Sequence, residues 1–273
     1  MPELPEVETV KETLKEKILK QKIIDIKVLY PEMIEYPDVL TFKKEIINQT
    51  INDIKRRGKW LIFELDNYYL LSHLRMEGKY NIKTNESINK HEHVIFYFKD
   101  FNLRYQDTRK FGRMYLYKKE EAFNNKPLNA LGYEPWDDKL DIDYLKEKYK
   151  KITKPIKEVL LDQSIIVGIG NIYADEILFL SKINPYKKPN ELDDNELNDI
   201  IKNTRYVLEC AIKKGGTTIR TYTSSEGVHG RFQQDLLVHN QEYCKKCNSK
   251  IEVVRIGGRS TYYCPNCQKN CQK

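Results

Sequence analysis

Four cysteines carry the clearest chemistry in the chain. Cys244 and Cys247 form one C-x2-C pair, Cys264 and Cys267 form a second, and sixteen residues separate the pairs. This spacing matches a four-thiolate zinc ribbon: each turn aims two sulfurs at one ion, and the intervening residues return as a hairpin. That stretch has the makings of a hairpin, with β-rich IEVVRI, a Gly257-Gly258 turn and then STYY. Four thiolates leave no open coordination position. The expected cofactor is therefore one structural Zn2+ that holds the fold and does no chemistry. A redox dithiol or chance spacing is the alternative, and structural disulfides do not suit a cytosolic protein. Cys210 lies in an apolar helical stretch and reads as a buried small residue; Cys271 falls in a tail and has no expected role.

Basic residues give the second signal. Lys and Arg number 47 against 40 Asp and Glu, a net charge of +7. From His229 onward there are eight basic and three acidic residues, so the last 45 residues hold five of the seven excess charges. A second cluster is Lys55-Arg56-Arg57-Gly58-Lys59, and a basic run, Lys150, Lys151, Lys154 and Lys157, follows further on. Local positive charge in a nearly balanced chain points to a polyanionic partner. A merely solvated, lysine-rich surface is the plain alternative.

These residues need elements to position them. At 273 residues, and with roughly 150 per domain, about two domains are expected. With 40% apolar and 32% charged residues the composition is that of a globular chain. No run approaches the roughly 18 apolar residues of a membrane span. The opening MPELPEVETV has three glutamates and no basic residue, unlike a signal peptide. A cytoplasmic protein with no membrane partner is expected.

Residues 5–19 read as a helix, with Val7, Val10, Leu14 and Ile18 recurring at helical spacing. Short β-rich runs follow: KWLIFEL and YYLLSHLRM around an Asp66-Asn67 turn, then HVIFYF, LRYQD and RMYLY. Short strands joined by tight turns predict a two-sheet sandwich or a flattened barrel. After a break near 131–138 the pattern turns helical over 141–151, 156–163, 172–183 and 191–214, the last as one long helix or a pair. Residues 217–232 are polar and Gly-punctuated, a loop of functional length.

Seven motifs in order then carry a resemblance. They are the Pro2-Glu3-Leu4-Pro5-Glu6 opening, Arg57-Gly58-Lys59, His73-Leu74-Arg75-Met76-Glu77-Gly78, Lys90-His91-Glu92-His93, Asp107-Thr108-Arg109-Lys110-Phe111-Gly112, Gly168-Ile169-Gly170-Asn171, and Arg259 five residues before Cys264. The whole chain resembles the bacterial formamidopyrimidine-DNA glycosylase family, enzymes that repair 8-oxoguanine. The fold implied is α+β: an N-terminal two-sheet β-sandwich with flanking helices, then a helical helix–two-turn–helix domain ending in a zinc-ribbon hairpin. The boundaries expected are 1–132 for the catalytic sandwich, 133–149 for a linker, 150–228 for the helical domain and 229–273 for the zinc finger. The partner implied is damaged double-stranded DNA, met by a monomer.

The resemblance also implies roles. In this family the initiator Met is removed, which small Pro2 permits. Pro2 then offers a secondary amine that forms a cationic iminium with a sugar C1′, an electron sink for both base loss and strand scission. With Met1 attached, that nitrogen is a tertiary amide and cannot do so. An α-amino group titrates near 8, below a lysine, so more of it is nucleophilic. Glu3 would act as general acid at the sugar ring oxygen. Lys59 would serve the elimination steps, and Arg259 the final elimination and a phosphate contact. A base in a duplex must be flipped out before it can be reached. Phe111 would wedge the base step, Arg109 would bond the orphaned cytosine, and Met76 would fill the vacated stack. His73, His91 and Asn171 would contact the DNA backbone, Asn171 at a glycine-preceded helix N-terminus. Taken singly, the histidines, Met76 and Phe111 read as core or surface residues, Arg109 as a surface charge and Asn171 as a helix N-cap. The segment 217–232 resembles the loop that closes over the extruded base. Arg75 and Glu77 stand where other members have smaller residues. The sister enzyme for oxidised pyrimidines usually opens PEGPE, whereas Leu4 fills the middle here. A non-catalytic zinc-ribbon DNA binder would need neither Pro2, Glu3 nor Lys59.

Overall fold

The computed structural model describes residues 1–217 and 230–269. They divide into two compact units, Met1–Ala130 and Leu131–Thr217 continued from Arg231. No helix among them is long and apolar enough to cross a membrane.

The first unit opens with helix α1 (Leu4–Ile18), whose Val7, Val10, Leu14 and Ile18 are buried. Its start is fixed locally: Pro5 lies in the first turn, and Glu3 and Glu6 form a capping box. Four strands, β1 (Asp25–Val28), β6 (Lys79–Lys83), β7 (Glu92–Tyr97) and β8 (Asn102–Gln106), form one antiparallel sheet in the order β1-β7-β8-β6. A five-stranded sheet runs β2-β9-β5-β4-β3. It comprises β2 (Ile34–Tyr36), β3 (Asp53–Arg57), β4 (Trp60–Glu64), β5 (Tyr68–His73) and β9 (Arg113–Lys118). The short β2 pairs parallel with β9, and the other pairs are antiparallel. Leu61, Phe63, Leu70 and Met114 of one sheet meet Val94, Phe96, Leu103 and Tyr105 of the other in a single core that α1 closes. A helix α2 (Val39–Ile46), absent from the sequence reading, starts where the Asp38 carboxylate accepts the Leu40 and Thr41 N–H groups.

The second unit holds α3 (Ile142–Tyr149), α4 (Ile156–Val159), α5 (Asn171–Leu180), α6 (Asp194–Lys213) and the hairpin β10 (Glu252–Ile256)–β11 (Arg259–Tyr263). The stretch 191–214 is one helix, begun at a capping box of Asp193 and Glu196. The helix expected over 156–163 ends after one turn. Instead of continuing it, the Gln163 side chain accepts the Gly168 N–H at 2.8 Å and donates to the Ile169 carbonyl at 3.0 Å, bracing the turn that follows. Within 133–149, the stretch expected as a linker region, side chains and backbone are tied to the rest of the second unit. Arg205 of α6 donates to the carbonyls of Pro135, Asp137 and Leu140, and Tyr133 bridges Ile166. One guanidinium with several fixed donors thus organises a stretch that has little apolar patterning. Cys210 lies on α6 and is half-buried rather than buried. Cys271 and residues 218–229 of the expected lesion loop lie outside the described residues.

Candidate functional site

In the first unit, Pro2 is buried and Glu3 is 2% exposed at the N-cap of α1. The Glu3 N–H donates to Glu6 Oε2 at 2.8 Å, so the segment after Pro2 is held by the helix it starts. Lys59 is 5% exposed in the two-residue loop joining β3 to β4. Gly58 precedes it with φ +56, the left-handed conformation that a two-residue hairpin loop requires at its first position. On the neighbouring strand, His73 ends β5 directly opposite Trp60. Burial, with the Arg75 and Lys59 charges nearby, pushes the His73 imidazole down to about 3. Its Nδ1 accepts the Arg75 N–H at 2.9 Å. A neutral ring that accepts at Nδ1 carries its proton on Nε2, so His73 remains a donor without being charged.

Two turns of the same unit present the residues expected to open DNA. Met76 is half-buried in a turn closed by the Gly78 N–H on the Leu74 carbonyl, 2.9 Å. Phe111 stands 45% exposed between β8 and β9, with the Arg109 guanidinium 4.8 Å from its ring centroid. The fully buried Asp107 carboxylate holds that turn, accepting the N–H groups of Arg109 (3.0 Å), Phe111 and Gly112 (both 2.8 Å). His91 is half-buried beside it, its carbonyl accepting the Asp107 N–H at 3.0 Å. Tyr105 links the two turns from below. A Cβ at Gly78 or Gly112 would lie 2.1 or 1.9 Å from its hydroxyl oxygen, so both positions exclude any side chain. Sequence reasoning gave Asp107 and Tyr105 no role. Asp107 had a legible signal, a short carboxylate two residues ahead of a loop amide.

In the second unit Gly170, not Asn171, is the N-cap of α5. Asn171 Nδ2 donates to the Ser260 carbonyl at 2.8 Å, which ties the helix start to the residue after Arg259. Arg259 is exposed and lines a groove of about 540 Å³ with Lys151, Lys154, Glu158 and Gly257. Lys157 does not belong to that basic face. It is fully buried, with Nζ 2.5 Å from Asp175 and 2.7 Å from the Asn171 carbonyl, because a buried ammonium needs a partner that water no longer supplies. Asp175 Oδ2 also meets His239 Nδ1 at 2.6 Å and accepts the Tyr262 N–H at 3.2 Å. Next to it Glu176 accepts the N–H groups of Leu237, Val238 and His239 at 2.8–3.0 Å. Burial pushes its carboxyl up, against those three bonds. The two acids of α5 therefore anchor the chain entering the ribbon, and the sequence reading missed both.

The four cysteine sulfurs lie within 4.8 Å of one another. Cys247 and Cys264 are 3.5 Å apart and Cys244 and Cys267 3.8 Å. A tetrahedron with bonds of about 2.3 Å needs edges of about 3.8 Å, so the donors fit zinc in type, number and spacing. Burial and the neighbouring cysteine sulfurs push the Cys267 thiol up, whereas hydrogen bonding with Ser249 brings Cys247 down; a bound cation would favour the thiolate of each.

The chain thus joins a sandwich that opens on a buried proline–glutamate pair to a helical unit ending in a four-cysteine hairpin. The matching family models are the formamidopyrimidine-DNA glycosylase N-terminal domain over 1–114, its H2TH domain over 131–223, and a zinc finger found in FPG and IleRS over 241–270. The formamidopyrimidine-DNA glycosylase of Oceanobacillus iheyensis is 47% identical, covering 100% of this chain and 99% of its own; that of Bacillus cereus is 46% identical, covering 98% and 99%. Lactococcus lactis Fpg, solved with abasic-site DNA and with DNA containing N7-benzyl-Fapy-dG, is 41% identical, covering 98% of this chain and 100% of its own, with TM-scores of 0.91 and 0.92. The chain belongs to the formamidopyrimidine-DNA glycosylase family.

Proposed function

We propose that the chain is a bifunctional base-excision repair enzyme for duplex DNA. It removes oxidised purines, 8-oxoguanine and formamidopyrimidines, and then cuts the strand by β,δ-elimination. Once Met1 is removed, the Pro2 secondary amine attacks C1′ as the C1′–base bond breaks. Glu3 protonates the ring oxygen, the sugar opens, and the nitrogen becomes an iminium. That cation withdraws electrons and acidifies the adjacent C2′–H. Loss of this proton expels the 3′-phosphate, and a second elimination expels the 5′-phosphate, with Lys59 serving these steps. Base extrusion is supported by Phe111, Arg109 and Met76, and phosphate is held by His73, His91, Asn171 and Arg259. Bound zinc fills its coordination sphere with four thiolates and so supplies architecture only. The enzyme acts as a monomer in the cytosol.

The observation that most supports this reading is the buried Pro2–Glu3 pair at the capped start of α1. There a carboxyl sits one residue from the only secondary amine that Met1 removal can create. Borohydride trapping on 8-oxoguanine opposite cytosine tests it. Processed protein should form a covalent adduct and Pro2→Gly should form far less. No adduct refutes the nucleophile, and faster trapping on thymine glycol assigns the chain to oxidised pyrimidines instead.

A further inference from the structure

On β3, Arg56 shares a face with Ile54, which is fully buried among residues of α1 and the sandwich core. An apolar side chain is expected at such a position. Instead Arg56, with a side chain 10% exposed, spans two acceptors: Nε donates to Glu8 Oε2 on α1 at 2.7 Å, and Nη1 donates to the Gly58 carbonyl at 2.9 Å. Glu8 is held in turn by Lys11 at 2.5 Å. A largely buried ion pair adds little net stability over apolar packing, so its retention calls for a positional reason. The two acceptors supply one. Glu8 lies in the second turn of the helix that Glu3 caps, and Gly58 immediately precedes Lys59.

We propose that Arg56 is a positioning residue that locks the Lys59 turn to the helix beginning at Pro2 and Glu3. This rests on the function proposed above. A guanidinium reaches both acceptors because its donors diverge from one rigid plane; a lysine offers a single point charge and holds one of them. The Glu8–Arg56–Gly58 bridge thereby sets the register between the strand hairpin and the helix N-terminus.

The test compares wild type, Arg56→Lys and Glu8→Gln on 8-oxoguanine duplex. It measures strand-scission kcat, KM and the urea midpoint. Arg56→Lys keeps the charge opposite Glu8 and loses the arm to Gly58, whereas Glu8→Gln weakens the other end. Both should lower kcat by about tenfold or more, since small misplacements of a catalytic group cost rates of this order, while KM and the midpoint stay near wild type. An active wild type matched by both variants overturns this proposal alone. So does a loss of kcat only in step with KM or stability. A wild type that forms no borohydride adduct overturns this proposal together with the function beneath it.

Discussion

The sandwich and the helical unit hold their exposed functional candidates by opposite means. In the sandwich, a large apolar core from two sheets and α1 carries most of the load; polar side chains set turns, as where Asp107 gathers three amides, or pair with one another, as Arg104 does with Glu92 and Arg56 with Glu8. Around the ribbon the apolar cluster is small, drawn from Phe179, Val238, Cys244, Ile251 and Cys264. There the weight falls on sulfur ligands and on the buried charges Lys157, Asp175 and Glu176. A small module without enough core must be stapled, whereas a sandwich can spend polar groups on precision.

If that contrast is right, zinc removal has the largest effect. Cys244→Ser or a strong chelator should unfold the ribbon and abolish most DNA affinity, because structural zinc binding is worth about 10–16 kcal/mol. The sandwich should keep its circular-dichroism signature and its own unfolding transition. Retained affinity without metal would break the comparison. Next comes Asp175→Asn, which removes the buried negative charge that balances the Lys157 ammonium and weakens the tie to Tyr262. It should cost about 3–5 kcal/mol, read as a lower urea midpoint and faster zinc release.

Asp107→Asn should cost less, about 2–3 kcal/mol. An amide has one accepting oxygen where the carboxylate uses two, so the Arg109–Phe111 turn loosens. The expected readout is weaker lesion binding with secondary structure intact; unchanged binding would mean the turn is held by other groups. Near neutral pH the smallest effect concerns His73, whose contribution grows only as the solution is acidified. Its folded pKa of about 3 lies below the unfolded value, so unfolded chains bind a proton that the folded chain refuses. Stability should therefore be undiminished by this group above about pH 6.5 and fall as pH drops below it, by about 1.4 kcal/mol per unit. Its imidazole resonances should not titrate between pH 5 and 8. A transition near 6 would place a charge where the sandwich is inferred to hold none.

Much was legible in the sequence because its signals are local. Two C-x2-C turns need only their own spacing and a Gly-Gly hairpin, and α1 declares itself through Val7, Val10, Leu14 and Ile18. The Arg109–Phe111 turn follows from the strands on either side of it. Less legible were short α2, the truncated α4 and the ordered stretch before α3, in which the polar side chains of Asp38, Gln163 and Arg205 take part. Such groups act over distances that composition and periodicity do not register.

Sequence alone therefore determined the zinc ligands, the sandwich-then-helices order and the ordered motifs that point to Pro2 and Glu3. Only the tertiary structure decided which charges face outward and which are consumed inside. Lys157 and Lys154 are three residues apart in one basic run, yet Lys157 is fully buried on Asp175 while Lys154 is exposed beside Arg259. Arg56 and Lys59 share another run, but Arg56 is committed to Glu8 and Gly58. The reason is physical: the cost of burying a charge depends on the partner that long-range folding brings to it, and the Asp175 and Glu8 partners are eighteen and forty-eight residues away in sequence.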